Sequence, residues 1–305
     1  TEERERLVRV FDPSGRVDAR RNLKSNRPRR DSLRPNTGDL VERHNEINYY
    51  DFLGTATGLV ERTQPCWGQR YEPLPYLNVT IEGVGTAVAD SMGNWQLPYT
   101  GSDPRPVTAT LSNAFVTIMD ESGNHSAFAD TATPGVPYDL RYWDGAAERL
   151  TEELDVFRAV ADARRLLRRV DPESEFLNQP VTIILGRDTF TNVCNGKAER
   201  DTHLVYLQEA LPYSVPAGRL QSVVIHEWGH CLHNSWWADA GGSTGNLGHE
   251  EGNADIWSSL VRMDSKYQRG CYYPSNCDCM QAGEWIWRDA DNTFITLTAR
   301  GLNPK

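Results

Sequence analysis

The sequence predicts a multidomain α+β chain in which a small β-sandwich precedes a domain of mixed sheet and helices. Three observations carry that prediction. Apolar and polar residues alternate with a period of two in segments between residues 49 and 122, as half-buried strands require. From Ala146 the apolar spacing lengthens to three and four residues, which is a helical period. Two later segments, LQSVVIHEWGHCLHNSWW and GHEEGNADIWSSL, place histidines and carboxylates four residues apart, so each pair shares one helix face.

The elements follow in chain order. Residues 1–48 carry repeated Arg, as in RRNLKSNRPRR, with almost no apolar periodicity over 1–36, and read as a solvated tail or the remnant of a processed pro-segment. An arm for polyanions is the competing reading. In the β region, Leu77, Val79 and Ile81 alternate with Asn78, Thr80 and Glu82, and Val107, Ala109 and Leu111 repeat the pattern. Within VADSMGNWQLPY the turn-forming SMGN lies between β-prone flanks, which predicts a hairpin. Residues 123–145 are rich in Gly, Pro, Ser and Thr without a period and read as the linker between domains. Leu150, Leu154, Phe157 and Ala161 then mark an amphipathic helix that stops before Asp171-Pro172. PVTIIL at 180–185 and HLVYL at 203–207 read as buried strands.

Composition excludes several classes. A formal net charge of -10 argues against nucleic acid as a partner, since binding to phosphate needs a cationic surface. No apolar run reaches the roughly 18 residues that would suggest a membrane span. The chain begins at Thr1, as a processed or recombinant product would, and its six Cys fit disulfides in an oxidising compartment, so a secreted protein is expected. Cys271, Cys277 and Cys279 cluster; a second metal site there would need a matching distal pair, which the spacing lacks. Asp289 and Asp291 offer oxygen ligands of the calcium type, although two carboxylates in a loop are ordinarily solvated charge. Nothing in the sequence sets an oligomeric state.

The chemistry concentrates in the two histidine-bearing segments. His226 and His230 project from one helical face a turn apart, so two imidazoles can share one zinc ion, and Glu227 is placed to take a proton from water at the metal. An H-E-x-x-H arises by chance roughly once in a hundred such sequences, so a third ligand is required in suitable context. Glu251 supplies it, and Asp255, four residues on, can accept the free ring N–H of a ligand histidine. Glu250 is the rival ligand, but the residue four beyond it is Ala254, which cannot support a histidine. His233 and His249 read as surface or supporting histidines, and Trp228, Trp236 and Trp237 either line a cleft or pack beneath the metal helix.

HEWGH followed by EGNAD resembles the gluzincin peptidases, and among them the fungalysin and thermolysin families, whose pattern is HExxH followed by ExxxD. The resemblance implies a thermolysin-like zincin domain over 146–305, one catalytic zinc on His226, His230 and Glu251, Glu227 as general base, Asp255 behind a ligand, and internal peptide bonds of proteins or peptides as substrate. VCNGKAERDTHLVYL resembles the strand of those families in which an Asn binds substrate backbone, a role that falls on Asn195, although Gly196 and Lys197 stand where a small and an aromatic residue are expected. PLPYLNVTIEG with ADSMGNWQL resembles transthyretin-like, carboxypeptidase-regulatory modules, with Asp90, Gly93 and Trp95 in the recurring turn, and assigns that fold to 49–122. The metzincin pattern fails at His233 and Trp236, and the Gly-x-Met-Glu-Asn motif of one-zinc aminopeptidases is absent.

One departure matters. These families place a His well downstream to stabilise the oxyanion, and no His follows His249. The chain then lacks a C-terminal helical subdomain, or Tyr272, Tyr273 or another group substitutes, or the site is impaired. The last case gives the alternative reading, an exported protein that holds zinc structurally and uses its β module for binding or assembly.

Overall fold

The computed structural model describes residues 50–61, 68–142, 148–187, 195–200, 202–211, 214–240 and 247–264, together with the backbone of short strands at 8–11, 17–20, 29–33, 40–45, 266–267 and 288–289. The chain divides into two compact units, Thr1–Tyr50 and Asp51–Lys305. In the first, β1 (Val8–Phe11) pairs antiparallel with β2 (Val17–Arg20), and β3 (Arg29–Leu33) with β4 (Leu40–Asn45). The expected tail therefore contains strands. The alternation in VRVF carries a β period that the weight of Arg around it conceals.

The second unit is mixed α+β: antiparallel pairing dominates its N-terminal part, and a mixed sheet with three helices follows. One four-stranded sheet is centred on β5 (Phe52–Val60), flanked by β6 (Arg70–Pro73), with β9 (Asn94–Leu97) and β13 (Tyr138–Tyr142) also pairing with it. A second sheet runs β12 (Ala127–Ala132), β10 (Arg105–Thr110), β7 (Asn78–Ile81), β8 (Gly85–Val88). The alternation read from sequence is the burial pattern here, since Leu77, Val79, Ile81, Val107, Ala109 and Leu111 are all buried. A third, mixed sheet has the order β11 (Val116–Asp120), β14 (Val181–Arg187), β16 (Leu204–Gln208), β15 (Gly196–Glu199). Its first three strands are parallel and β15 is an antiparallel edge.

Two expectations are corrected. The SMGN turn does not close a hairpin, because β8 pairs with β7 whereas β9 pairs with β5. The turn itself forms: Asp90 Oδ1 accepts the N–H groups of Met92 (2.8 Å) and Asn94 (2.9 Å), and Gly93 takes a positive φ of 78°. A Cβ on Gly93 would lie 2.4 Å from the Ala56 carbonyl oxygen, so the turn is pressed onto β5 and carries the chain from one sheet to the next. DESGN at 120–124 repeats the device, with Asp120 Oδ1 accepting from Ser122 and Asn124.

The stretch 123–145 does not behave as a linker either, since it supplies β12 and β13, and β11 joins β14 from beyond it. β12 is an edge strand with a single fully buried side chain, Ala132, so its composition is that of a loop. The β11–β14 pairing is parallel across a long crossover, and local periodicity carries no trace of such a partner.

Helix α1 (Glu148–Val170) occupies the crossover and ends, as expected, before Asp171-Pro172. Leu154, Phe157, Ala161 and Leu167 are buried, and full burial of a Leu or Phe contributes about 1.5–3 kcal/mol. The expected amphipathicity is incomplete, because Glu152, Glu153, Asp155 and Arg158 are buried too. Each has an internal partner: Glu152 Oε1 accepts from Gly218 N (3.1 Å), Glu153 Oε2 from Ser126 N (2.9 Å) and Asp155 Oδ1 from Glu61 N (2.7 Å), while Arg158 reaches Asp162 at 3.2 Å. Arg219 pairs with Glu61 at 2.5 Å. This network fixes the short 3₁₀ turn Ala217–Arg219, and with it the start of α2 (Gln221–Asp239). Helix α3 (Leu247–Arg262) then packs on α2, and the two-residue strands β17 (Lys266–Tyr267) and β18 (Arg288–Asp289) pair antiparallel.

Candidate metal centre

Helices α2 and α3 pack closely at Gly229, the fourth residue of HEWGH, where a Cβ would lie 3.0 Å from the Ala254 Cα. Below that contact Trp228 stacks edge-on against Phe176 and Trp257, so it belongs to the core. The close approach brings the polar face of α3, Glu250, Glu251 and Asp255, onto the histidine face of α2.

His226, His230 and Glu251 converge and form a group that could hold a metal ion, with ligand atoms all within 4.8 Å of one another. The two Nε2 atoms are 3.0 Å apart; Glu251 Oε2 lies 3.3 Å from His226 Nε2 and Oε1 lies 3.6 Å from His230 Nε2. Both histidines are buried, whereas Glu251 is half exposed, so the group opens to solvent on the α3 side. Asp255 Oδ1 sits 2.9 Å from His226 Nδ1, where it orients the ring. Glu250 does not compete for the convergence point. Its Oε1 is 3.6 Å from His230 Nδ1, on the far side of that ring, and its Oε2 is 3.4 Å from Arg200.

Glu227 is almost fully buried and its Oε2 accepts the Ala198 N–H of β15 at 2.8 Å. Asn195 immediately precedes that strand. Its N–H donates to Gln208 Oε1 at 3.1 Å and its carbonyl accepts from Gln208 N at 3.0 Å, which anchors the start of β15 next to the site. His233 is buried, 2.9 Å from Asn253 Nδ2 and stacked on Trp237, and so has a packing role; His249 is exposed. Trp236 and Trp237 are partly exposed, with the Trp236 indole N–H donating to Ser174 Oγ. Cys231 is buried, and burial pushes its thiol up, which leaves it unreactive. The clustered Cys271, Cys277 and Cys279, together with Tyr272, Tyr273 and Asp291, lie outside the described residues, and Asp289 is described only as backbone in β18.

Without an ion the two histidines divide their protons unequally. Burial works to lower the pKa of His226, but its hydrogen bonds to the Asp255 and Glu251 carboxylates and the charge of Glu227 outweigh it and raise the value to about 9. His230 falls to about 4 through its own burial and the positive charge of His226. The carboxylates around the pair favour a cation in this place.

Sequence reasoning missed the contacts made by Gly196, Ala198, Arg200 and Glu250. A glycine inside a strand pattern signals close approach of another group, and Gly196 was open to that reading. Comparison with known proteins gives no match, neither to a protein-family model nor to a curated relative, so the site is read from its own geometry.

Proposed function

We propose that the chain is a zinc-dependent metalloendopeptidase of the gluzincin type, similar to fungalysin and thermolysin, that hydrolyses internal peptide bonds. The observation that carries the reading is the convergence of His226, His230 and Glu251, whose ligand atoms all lie within 4.8 Å of one another. The two Nε2 atoms are 3.0 Å apart, and Glu251 turns Oε2 to His226 at 3.3 Å and Oε1 to His230 at 3.6 Å, near the spacing of about 3.3 Å that zinc bonds of about 2.0–2.1 Å in a tetrahedral set require. Two neutral imidazole nitrogens and one carboxylate suit zinc, and three protein ligands leave a position for water.

When bound, zinc would lower the pKa of a coordinated water to about 7 and polarise the scissile carbonyl. Glu227 then takes the proton of the attacking water and returns it to the leaving amine. Asp255 holds His226 with Nε2 toward the ion by accepting from Nδ1. The outward backbone groups of β15 that Glu227 does not occupy, entered through Asn195, would align an extended peptide by strand addition. Under this reading the mixed sheet of β11, β14, β16 and β15 with α1–α3 forms the zincin core, the sheets before it an appended β region, and the protein acts after export. No helix among the described residues is long and apolar enough to cross a membrane.

A second reading is that zinc is retained structurally and the β module makes binding contacts. Both are tested together. Metal analysis is expected to give one zinc per chain, and a quenched-peptide assay is expected to show cleavage that a chelator abolishes and zinc restores. Stoichiometric zinc without hydrolysis selects the structural reading, and no zinc removes both.

A further inference from the structure

We infer that strand β15 is a built seat for the Glu227 carboxylate, with Gly196 and the Ala198 amide as its positioning groups. The assignment of Glu227 as proton acceptor rests on the function proposed above; the seat itself does not.

The register makes Ala198 available for this task. In an antiparallel pair the backbone groups of alternate residues face the partner, and those between face away. Ala198 lies opposite Val205 and directs its N–H to Glu227 rather than to β16, so it belongs to the outward set, as does Gly196 two residues earlier. An outward N–H on an edge strand ordinarily faces water or another chain. Here a carboxylate from α2, 29 residues away, takes it at 2.8 Å.

Gly196 completes the seat by what it lacks. Its φ is not among the positive values, so the backbone does not demand glycine at this position. Space does: a Cβ would stand 2.6 Å from Glu227 Cγ and 3.0 Å from both Cδ and Oε1. The obstructing atoms belong to a side chain rather than to backbone, so alanine would displace the carboxylate and leave the strand in place. A glutamate next to a ligand histidine has two options near a cation, to ligate it or to stand beside it as a base. The seat draws Glu227 toward β15 and selects the second.

Two measurements on the full chain test the seat, and each decides it. The first is amide hydrogen exchange, with and without zinc. Glu227→Ala is expected to speed exchange at Ala198 about tenfold while the inward amides of Lys197 and Glu199 keep their protection; an unchanged Ala198 amide overturns the inference. The second is a double-mutant cycle with Glu227→Ala, which removes the Cγ, Cδ and Oε1 atoms that a Cβ at 196 would meet. With Glu227 in place, Gly196→Ala is expected to lower kcat about 100-fold with KM within about twofold and zinc still stoichiometric, because a displacement near 1 Å costs that much. In the Glu227→Ala background the same change is expected to lower the residual kcat less than about threefold. Equal losses in the two backgrounds mean that Gly196 serves the strand and not the carboxylate, and overturn the inference. If the wild-type chain cleaves no peptide, the peptidase reading fails while the exchange result still decides the seat.

Discussion

Helices α1 and α2 both bury charged side chains in one unit of the protein, and they treat them in opposite ways. On α1 the carboxylates of Glu152, Glu153 and Asp155 each accept a backbone N–H from a different segment, and Arg219 meets Glu61 nearby. Those side chains point outward from the helix to separate partners and tie three segments to it. On α2 the ring nitrogens of His226 and His230 point at one another, 3.0 Å apart, and α3 adds a carboxylate oxygen to the same place. Dispersed partners make a joint, whereas convergent donors make a site. Burial alone does not separate the two, and neither does charge.

The largest effect that sharpens this contrast is on turnover. Glu227→Gln keeps the shape and an acceptor oxygen for Ala198 but removes the base, so peptide hydrolysis is expected to fall about 10²–10⁴-fold, with zinc content and thermal stability unchanged. On α1 the reverse pattern is expected. Glu61→Ala leaves Arg219 charged and buried, which costs about 3–5 kcal/mol, read as a lower denaturant midpoint, while the folded protein keeps stoichiometric zinc. If Glu61→Ala strips zinc from folded protein, the two networks are one and the comparison breaks.

A smaller effect lies behind the ligands. Asp255→Ala and Glu250→Ala are expected to weaken zinc about 10–100-fold each, measured by competition with a chromophoric chelator. Glu250 acts at a distance of 3.6 Å and shares its other oxygen with Arg200, so its loss is expected at the lower end of that range. An effect of Glu250→Ala larger than that of Glu251→Ala would exchange the ligand assigned to α3.

What the sequence disclosed follows the same division. The i, i+4 spacing of His226 with His230 and of Glu251 with Asp255 is a property of one helix each, and a helical period projects it onto a face. The alternation of Leu77, Val79 and Ile81 is local in the same sense. The partners of α1 were hidden because Glu61, Ser126 and Gly218 reach it from distant parts of the chain, so its acids looked like a solvated face. Residues 123–145 were hidden because an edge strand with little to bury has the composition of a loop. The seat of Glu227 needed the register of β15, which no periodicity supplies.

The smallest effect is a pH dependence confined to α1. Asp155 is deeply buried, and that burial pushes its carboxyl well above the usual range; the Glu61 N–H and the Arg219 charge pull it down, and the Glu61 and Glu152 carboxylates push it further up. A folded-state pKa above the unfolded value means that the folded chain holds this proton more tightly. Its contribution to stability is therefore greatest in acid and declines as pH rises through the folded pKa. Asp155→Asn keeps an oxygen for the Glu61 N–H and carries no proton to lose. The variant is expected to match wild type in acid and to gain on it toward neutral pH, in urea unfolding followed across that range. A wild-type advantage that grows with pH instead would mean that Asp155 is ionised and paired with Arg219, and that α1 holds a salt-bridge network rather than a protonated joint.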